Sequence, residues 1–423
     1  MIRWAKAHIR VRFALSIVFI PASYQGDLKT KVVSLLRSIY SQLLLGNWLK
    51  NNSMDEDNRV PIIIGNASPF RIIVRDTDCW TPTLEDTNNG TYDYIKLHRL
   101  STYIDVDIRP YSMGVAFDGS LILPAAKEFH DKDKSLDIFN RTLGYLLLGG
   151  IYTEAVSPED MTVGSMTLDG YFRPTTSSSG AVASFHRAIQ TKHLGALDSI
   201  KLLNPEEIKI EDYQNAIESG KAILSAIPRL SASILLNGAT QYVKHEWPES
   251  LVSLWTSIEQ VLSHIWDAEI VRKRNDFGQE ITGRKKFLQD FRTWSTSAKI
   301  EVLYQNTLID PEVYGLLNNA RKSRNTFVHE GIKPTQENAR SALDSLFALI
   351  SFACNNFEDK SSLNNIVEMI EKHLRGELIP KNRIFSKEEV THWLPVPPIP
   401  GDTSWGDEEY EIIEELKLKK LTD

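Results

Sequence analysis

The hydrophobic period of this chain changes part-way along, and that change limits the folds open to it. Between residues 58 and 123 the apolar residues come in short strand-like runs, at 61–64, 70–75, 92–97, 103–108, 113–117 and 121–123. Gly, Asp and Asn punctuate them, and Asp118-Gly119 between the last two predicts a tight hairpin. From residue 185 onward almost every apolar stripe has helical spacing. The pattern predicts an α+β chain: mixed α/β with a largely antiparallel sheet first, an all-α bundle second. The predicted organisation is an N-terminal α+β domain over 1–180 that senses a trigger or recognises a partner. A helical domain over 181–375 follows, with its core at 245–375, and then a Pro-rich, charged tail over 376–423. The Thr-Thr-Ser-Ser-Ser-Gly-Ala segment at 175–181 is linker-like.

The first 50 residues need separate reading. Arg3, Lys6, Arg10 and Arg12 precede an apolar run at 13–20. That run is far short of the roughly 20 residues a membrane span needs. Val11, Phe13, Leu15, Ile17 and Phe19 alternate with other residues, which predicts a buried strand rather than a signal sequence. Residues 27–49 carry a helical stripe of Val32, Leu35, Leu36, Ile39, Leu43 and Leu44.

Composition excludes several classes. A net charge of -7 argues against non-specific coating of nucleic acid, although a local basic patch remains open. Two distant cysteines, Cys79 and Cys354, make neither a disulfide framework nor a CxxC metal site and suit a reducing cytoplasm. The histidines outside the motif described next lack HxH or HxxxH spacing. Asp76, Asp78, Asp105 and Asp107 pair at i, i+2 and read as one polar sheet face rather than as metal ligands. No Gly-rich phosphate loop is present. No cofactor and no metal are therefore expected.

The chemistry-capable groups concentrate in Arg321-Lys-Ser-Arg324-Asn325-Thr-Phe-Val-His329-Glu330. A helix is predicted over 311–328, closed by Gly331 and Pro334, and Thr335 is placed to cap the next one. In a continuous helix Arg321, Asn325 and His329 share a face, while Arg324 and His329 stand about 140° apart. Arginine binds phosphate in a fork and stabilises developing charge. An imidazole near neutral pH can take or give a proton. On RNA the neighbouring 2′-hydroxyl can be the nucleophile. The plainer reading is a surface arginine and a helix-terminal histidine that meets the helix dipole.

Upstream, the predicted helix 248–266 carries Leu251, Leu254, Trp255, Ile258, Leu262, Ile265 and Trp266 on one stripe, with Glu259 at its edge. Arg324-Asn325 followed by His329 at a helix end, with Leu254-Trp255-Thr-Ser-Ile258-Glu259-Gln-Val-Leu262 upstream, resembles the HEPN superfamily. The likeness is greatest to its Apea-like subgroup, linked to bacterial anti-phage defence, and covers about residues 245–375. The resemblance implies a helical bundle that forms a homodimer. It implies a metal-independent endoribonuclease in which Arg324, Asn325 and His329 of two chains meet in one cleft and cut RNA, possibly tRNA, by 2′-hydroxyl transesterification. It further implies a toxin or effector of abortive infection, with a phage-derived trigger or protein regulator acting on the N-terminal half. Glu259 matches the acidic position of the upstream helix loosely, and a helix-edge charge paired to a neighbour fits it equally. The resemblance equally admits a non-catalytic adaptor that dimerises and binds nucleotide or a protein.

The clusters Arg272-Lys273-Arg274 and Arg284-Lys285-Lys286, with Arg321, could track an RNA backbone. Phe277, Phe287, Phe291 and Trp294 interleave with them as stacking surfaces. A solvated loop with a few core aromatics reads the same residues as well.

Overall fold

Val60, Ile62 and Ile64 alternate along β1 (Arg59–Gly65) and point to one side. There they meet Ala116, Ile122 and Phe172, with Leu100 and Met166 packed against them. This is one face of a six-stranded antiparallel sheet. The computed structural model describes residues 59–68, 70–76, 98–175, 179–190, 203–272, 282–354, 363 and 365–374. The expected strand 11–19, helix 27–49, loop 85–91, run 92–97 and tail 376–423 lie outside the described residues, as do Cys79, Lys273, Arg274 and Phe277.

Besides β1 and β2 (Ile72–Arg75), the sheet region contains β3 (Leu100–Asp105), β4 (Ser112–Ala116), β5 (Leu121–Pro124), β6 (Met161–Thr167) and β7 (Phe172–Pro174). The large sheet has the order β3-β4-β5-β1-β6-β7. The hairpin expected at Asp118-Gly119 forms between β4 and β5, with Gly119 at φ 79°, where a side chain would be strained. β2 stands apart and pairs in parallel with β8 (Glu206–Lys209). Helical spacing predicts a helix from 208. Instead β8 takes residues 206–209 by pairing with β2 and the helix starts at Ile210; with one apolar residue, Glu-Glu-Ile-Lys shows no alternation that marks a strand.

The helices pack on one another, beginning with the first. α1 (Lys132–Leu148) starts at Asp131, whose carboxylate accepts from the Asp133 and Lys134 backbone. Gly65 lets the Phe139 ring of α1 lie against β1. After α2 (Ala181–Gln190), α3 (Ile210–Ala226) and α4 (Ala232–Val243) pack on α1. The approach is close: a Cβ on Gly220 would stand 1.9 Å from the Tyr145 carbonyl oxygen, and one on Gly144 2.4 Å from that of Ala232. α4 packs on α5 (Trp247–Ile265), which runs into a π-helical turn at Trp266–Arg272.

Short α6 (Arg284–Leu288), where an exposed loop is expected, follows Gly283 at φ 80°. Then come α7 (Thr296–Gln305), α8 (Pro311–Glu330), α9 (Gln336–Ala353) and α10 (Ile366–Lys372). α5 lies against α9, and α8 packs on α9 and also touches α5. The described residues up to His373 belong to one compact unit. No described helix is long and apolar enough to cross a membrane.

Candidate functional site

α8 is built differently from its neighbours. Of its 20 residues only Leu317 and Ala320 are buried, whereas α9 buries nine of 18. Its start is fixed by Asp310, whose carboxylate accepts from the Val313 N–H at 2.8 Å, and by Pro311 in the first turn. Its end is fixed by Gly331 at φ 72°, whose N–H donates to the Phe327 carbonyl. Thr335 and Asn338 then form a reciprocal capping box that starts α9.

The central motif occupies the last turns of α8, beyond its last buried residue. Arg324 is half-buried and its Nη1 donates to Asn325 Oδ1 at 3.1 Å. His329 is exposed in the final turn. Because α8 is continuous from 311 to 330, the helical geometry holds, and Arg324 and His329 leave it on different sides. No hydrogen bond or ion pair joins Arg324, His329 and Glu259 among the described residues. Arg321 is half-buried, and its Nε is buried without an acceptor among the described residues.

Glu259 belongs to a different set of contacts. Its Oε1 accepts from the Trp255 indole N–H at 2.9 Å and from the Thr296 hydroxyl at 3.1 Å. It thus ties α5 to the first residue of α7. α7 is in turn tied to α8, where the Tyr314 hydroxyl donates to Glu301 Oε2 at 2.7 Å and the Tyr304 and Tyr314 rings stack at 4.4 Å. Those hydrogen bonds, with one from Gln305, hold the Glu301 carboxyl below its usual range. Thr296 carries no signal in the sequence that would mark it as the partner of Glu259.

The basic residues separate into described and undescribed parts. Arg272 is exposed at the end of the π-helical turn, and Lys285 and Lys286 are exposed on α6. Arg284 is half-buried. Burial, then the charges of Arg272 and Arg229, push the nearby His264 below the usual histidine range. Arg292, absent from the basic residues singled out in the sequence, lies over the Phe291 ring at 5.9 Å. Its adjacency to Phe291 was the available signal.

Asp78 lies outside the described residues, while the Asp105 and Asp107 pair has a local explanation. Asp105 accepts from the Asp107 N–H at 2.9 Å and pairs with Arg109 at 2.8 Å, while Asp107 sits at φ 59°. They shape the turn after β3 rather than one sheet face. Among the described residues no group of three or more His, Cys, Asp or Glu side chains could hold a metal ion.

A buried polar centre that no local pattern marks lies elsewhere in the fold. His186 Nδ1 lies 2.8 Å from Asp118 Oδ2, both 1% exposed, and His186 Nε2 reaches the Ala67 carbonyl at 2.8 Å. This pair clamps α2 to the β4–β5 hairpin. No protein-family model, curated protein or solved structure matches this chain.

Proposed function

We propose that this chain is a homodimeric, cytoplasmic endoribonuclease of the HEPN type that cuts RNA without a metal. The observation that carries the reading is the Arg324–Asn325 contact on a sparsely buried helix that ends in an exposed histidine. In the proposed reaction the 2′-oxygen attacks the adjacent phosphorus and the P–O5′ bond breaks. The products are a 2′,3′-cyclic phosphate and a 5′-hydroxyl. His329 takes the 2′-hydroxyl proton or delivers one to the leaving 5′-oxygen. Arg324 stabilises the charge on the non-bridging oxygens. Asn325, hydrogen-bonded to Arg324, positions that guanidinium. Glu259 supports the bundle through Trp255 and Thr296. A role as a growth-arresting effector of anti-phage defence, triggered through the N-terminal half, rests on the resemblance alone.

The test is incubation of purified protein with total RNA in EDTA. Cleavage leaving 2′,3′-cyclic phosphate ends is expected from the parent. His329→Ala is expected to abolish it while keeping the circular dichroism spectrum of the fold. A folded His329→Ala protein that cuts as well as the parent removes the assignment. Intact RNA together with measurable binding of nucleotide or a protein assigns the adaptor role instead.

A further inference from the structure

Phe291 is 76% exposed and Phe287 54% exposed, and Phe291 is the most exposed large apolar side chain among the described residues. Exposed rings of this size cost solvation free energy unless something covers them. These two are also held in place. The Trp266 indole N–H donates to the Leu288 carbonyl at 2.8 Å, and Leu288 is buried. Trp294 packs against Trp266 at 5.0 Å, and Phe287 meets Trp294 edge-on at 5.8 Å. Asp290 closes the turn that carries Phe291, accepting from the Arg292 N–H and the Thr293 hydroxyl.

Cations surround the rings. Lys285 and Lys286 are exposed and make no ion pair with a described residue. Arg292 is exposed and stands over Phe291. Lys285, Lys286, Phe287, Gln289 and Asp290 line a shallow hollow beside them, the Asp290 carboxylate being engaged within its own turn. A protein-binding patch concentrates apolar area at its centre and excludes charge from it. Here ammonium and guanidinium groups alternate with ring faces, an arrangement suited to a polyanion whose own flat faces are available. Duplexes hide those faces by stacking; single strands offer them.

We propose that residues 283–294 form a binding platform for single-stranded RNA, with bases stacked on Phe291 and Phe287 and phosphates met by Lys285, Lys286 and Arg292. The proposal rests on the RNA-cutting reading for its choice of nucleic acid and names the class of substrate: looped or unstacked RNA rather than helical RNA.

The experiment uses full-length His329→Ala protein, so that bound RNA stays intact. The probes are a fluorescein-labelled RNA single strand of about twelve nucleotides and a blunt RNA duplex of equal length, read by fluorescence polarisation. The single strand is expected to bind at least about tenfold more tightly, and Phe291→Ala to weaken it roughly five- to a hundredfold, as loss of one base–aromatic stack does. Phe291→Trp is expected to restore binding. Lys285→Gln with Lys286→Gln is expected to reduce the slope of log affinity against log salt by about 1.4. Equal affinity for strand and duplex, no binding to either, or an unchanged affinity in Phe291→Ala overturns the proposal. So does loss of self-association in Phe291→Ala by sedimentation, which would assign the surface to a protein. Parent protein that fails to cut RNA while this binding pattern holds defeats the nuclease reading and leaves the platform standing.

Discussion

Combining Arg324→Ala in one copy with His329→Ala in the other tests whether the proposed site needs two chains. Five residues along α8 are about 7.5 Å of rise and about 140° of rotation. On a helix about 11 Å across, the two side chains therefore end about 13 Å apart. One phosphate group with a hydrogen bond on either side spans only about 8 Å. Arg324 and His329 of the same chain are thus too far apart to serve one phosphodiester. In the proposed dimer a two-fold related copy would supply the missing member, so that each site would take its arginine from one chain and its histidine from the other.

The consequence is numerical. Each variant alone loses both sites, and the loss of an acid–base group or a charge-stabilising donor is expected to cost about a hundredfold or more. In a mixed dimer one site carries both lesions and the other carries none. Half of the dimers in an equal mixture are mixed, so about one quarter of the parent rate returns. The assay is RNA cleavage in EDTA after co-expression of differently tagged copies, with sequential tag purification to show that mixed dimers form. If mixed dimers form and the rate stays at that of the single variants, the two-chain site is refuted.

Three further outcomes follow from named contacts. Gly220→Ala is expected to destabilise the fold by about 1–3 kcal/mol, although alanine gains about 1 kcal/mol of helix propensity, because its Cβ meets the Tyr145 carbonyl at 1.9 Å; an unchanged urea midpoint contradicts this. Glu259→Ala, which removes both hydrogen bonds, is expected to cost about 1–2 kcal/mol, while Glu259→Gln keeps an acceptor and keeps cleavage; a folded Gln variant that no longer cuts RNA puts the carboxylate in the reaction. Asp118→Asn breaks the buried pair with His186 and is expected to cost about 3–5 kcal/mol. Burial opposes charge on both partners of that pair, yet their mutual attraction and hydrogen bonds win, raising His186 and lowering Asp118. The histidine contribution is full below about pH 6.5 and is lost as pH rises through its raised value; the aspartate contribution is full above about pH 3.9 and is lost as pH falls through its lowered value. The parent is therefore expected to owe most to this pair between about pH 4 and 6.5, and urea midpoints of Asp118→Asn that follow the parent's pH dependence across that window contradict it.

Much of the architecture was legible because period and punctuation agreed. Leu251, Leu254, Trp255, Ile258, Leu262 and Ile265 all lie in the core, as their spacing required. Gly331 and Thr335 end one helix and start the next as their chemistry predicts. β6 and β7 were not legible: Gly164 and Ser165 interrupt the alternation of the first, and the second is three residues long. The capping carboxylate of Asp310 and the Thr296 partner of Glu259 depend on which helix ends meet, and local pattern does not carry that. The Asp118–His186 contact spans 68 positions of sequence and joins two residues that each look like surface polar groups. The grouping of Phe287, Phe291 and Trp294 with basic residues was visible as composition. Which rings face solvent was not: Phe291 is exposed, whereas Trp294 packs against Trp266.

The way α8 is held bears on where chemistry can sit. Its first half is secured by the Asp310 cap, Leu317, Ala320, the Tyr314–Glu301 bond and Asn319, which donates to Ser341 Oγ at 2.8 Å. Its last ten residues, from Arg321 to Glu330, include no buried residue. A helix end that buries so little gains little from tertiary packing, and a cap contributes only about 1 kcal/mol. Val328 at 49% and Ile332 at 58% exposure leave apolar surface uncovered at that same end. A second chain covering it would stabilise the segment and align the Arg324–Asn325 pair with a neighbouring histidine in one event. The proposed activity should then depend on protein concentration in the range where the dimer forms, and a rate per chain that is constant across the dissociation range measured by sedimentation would separate catalysis from pairing.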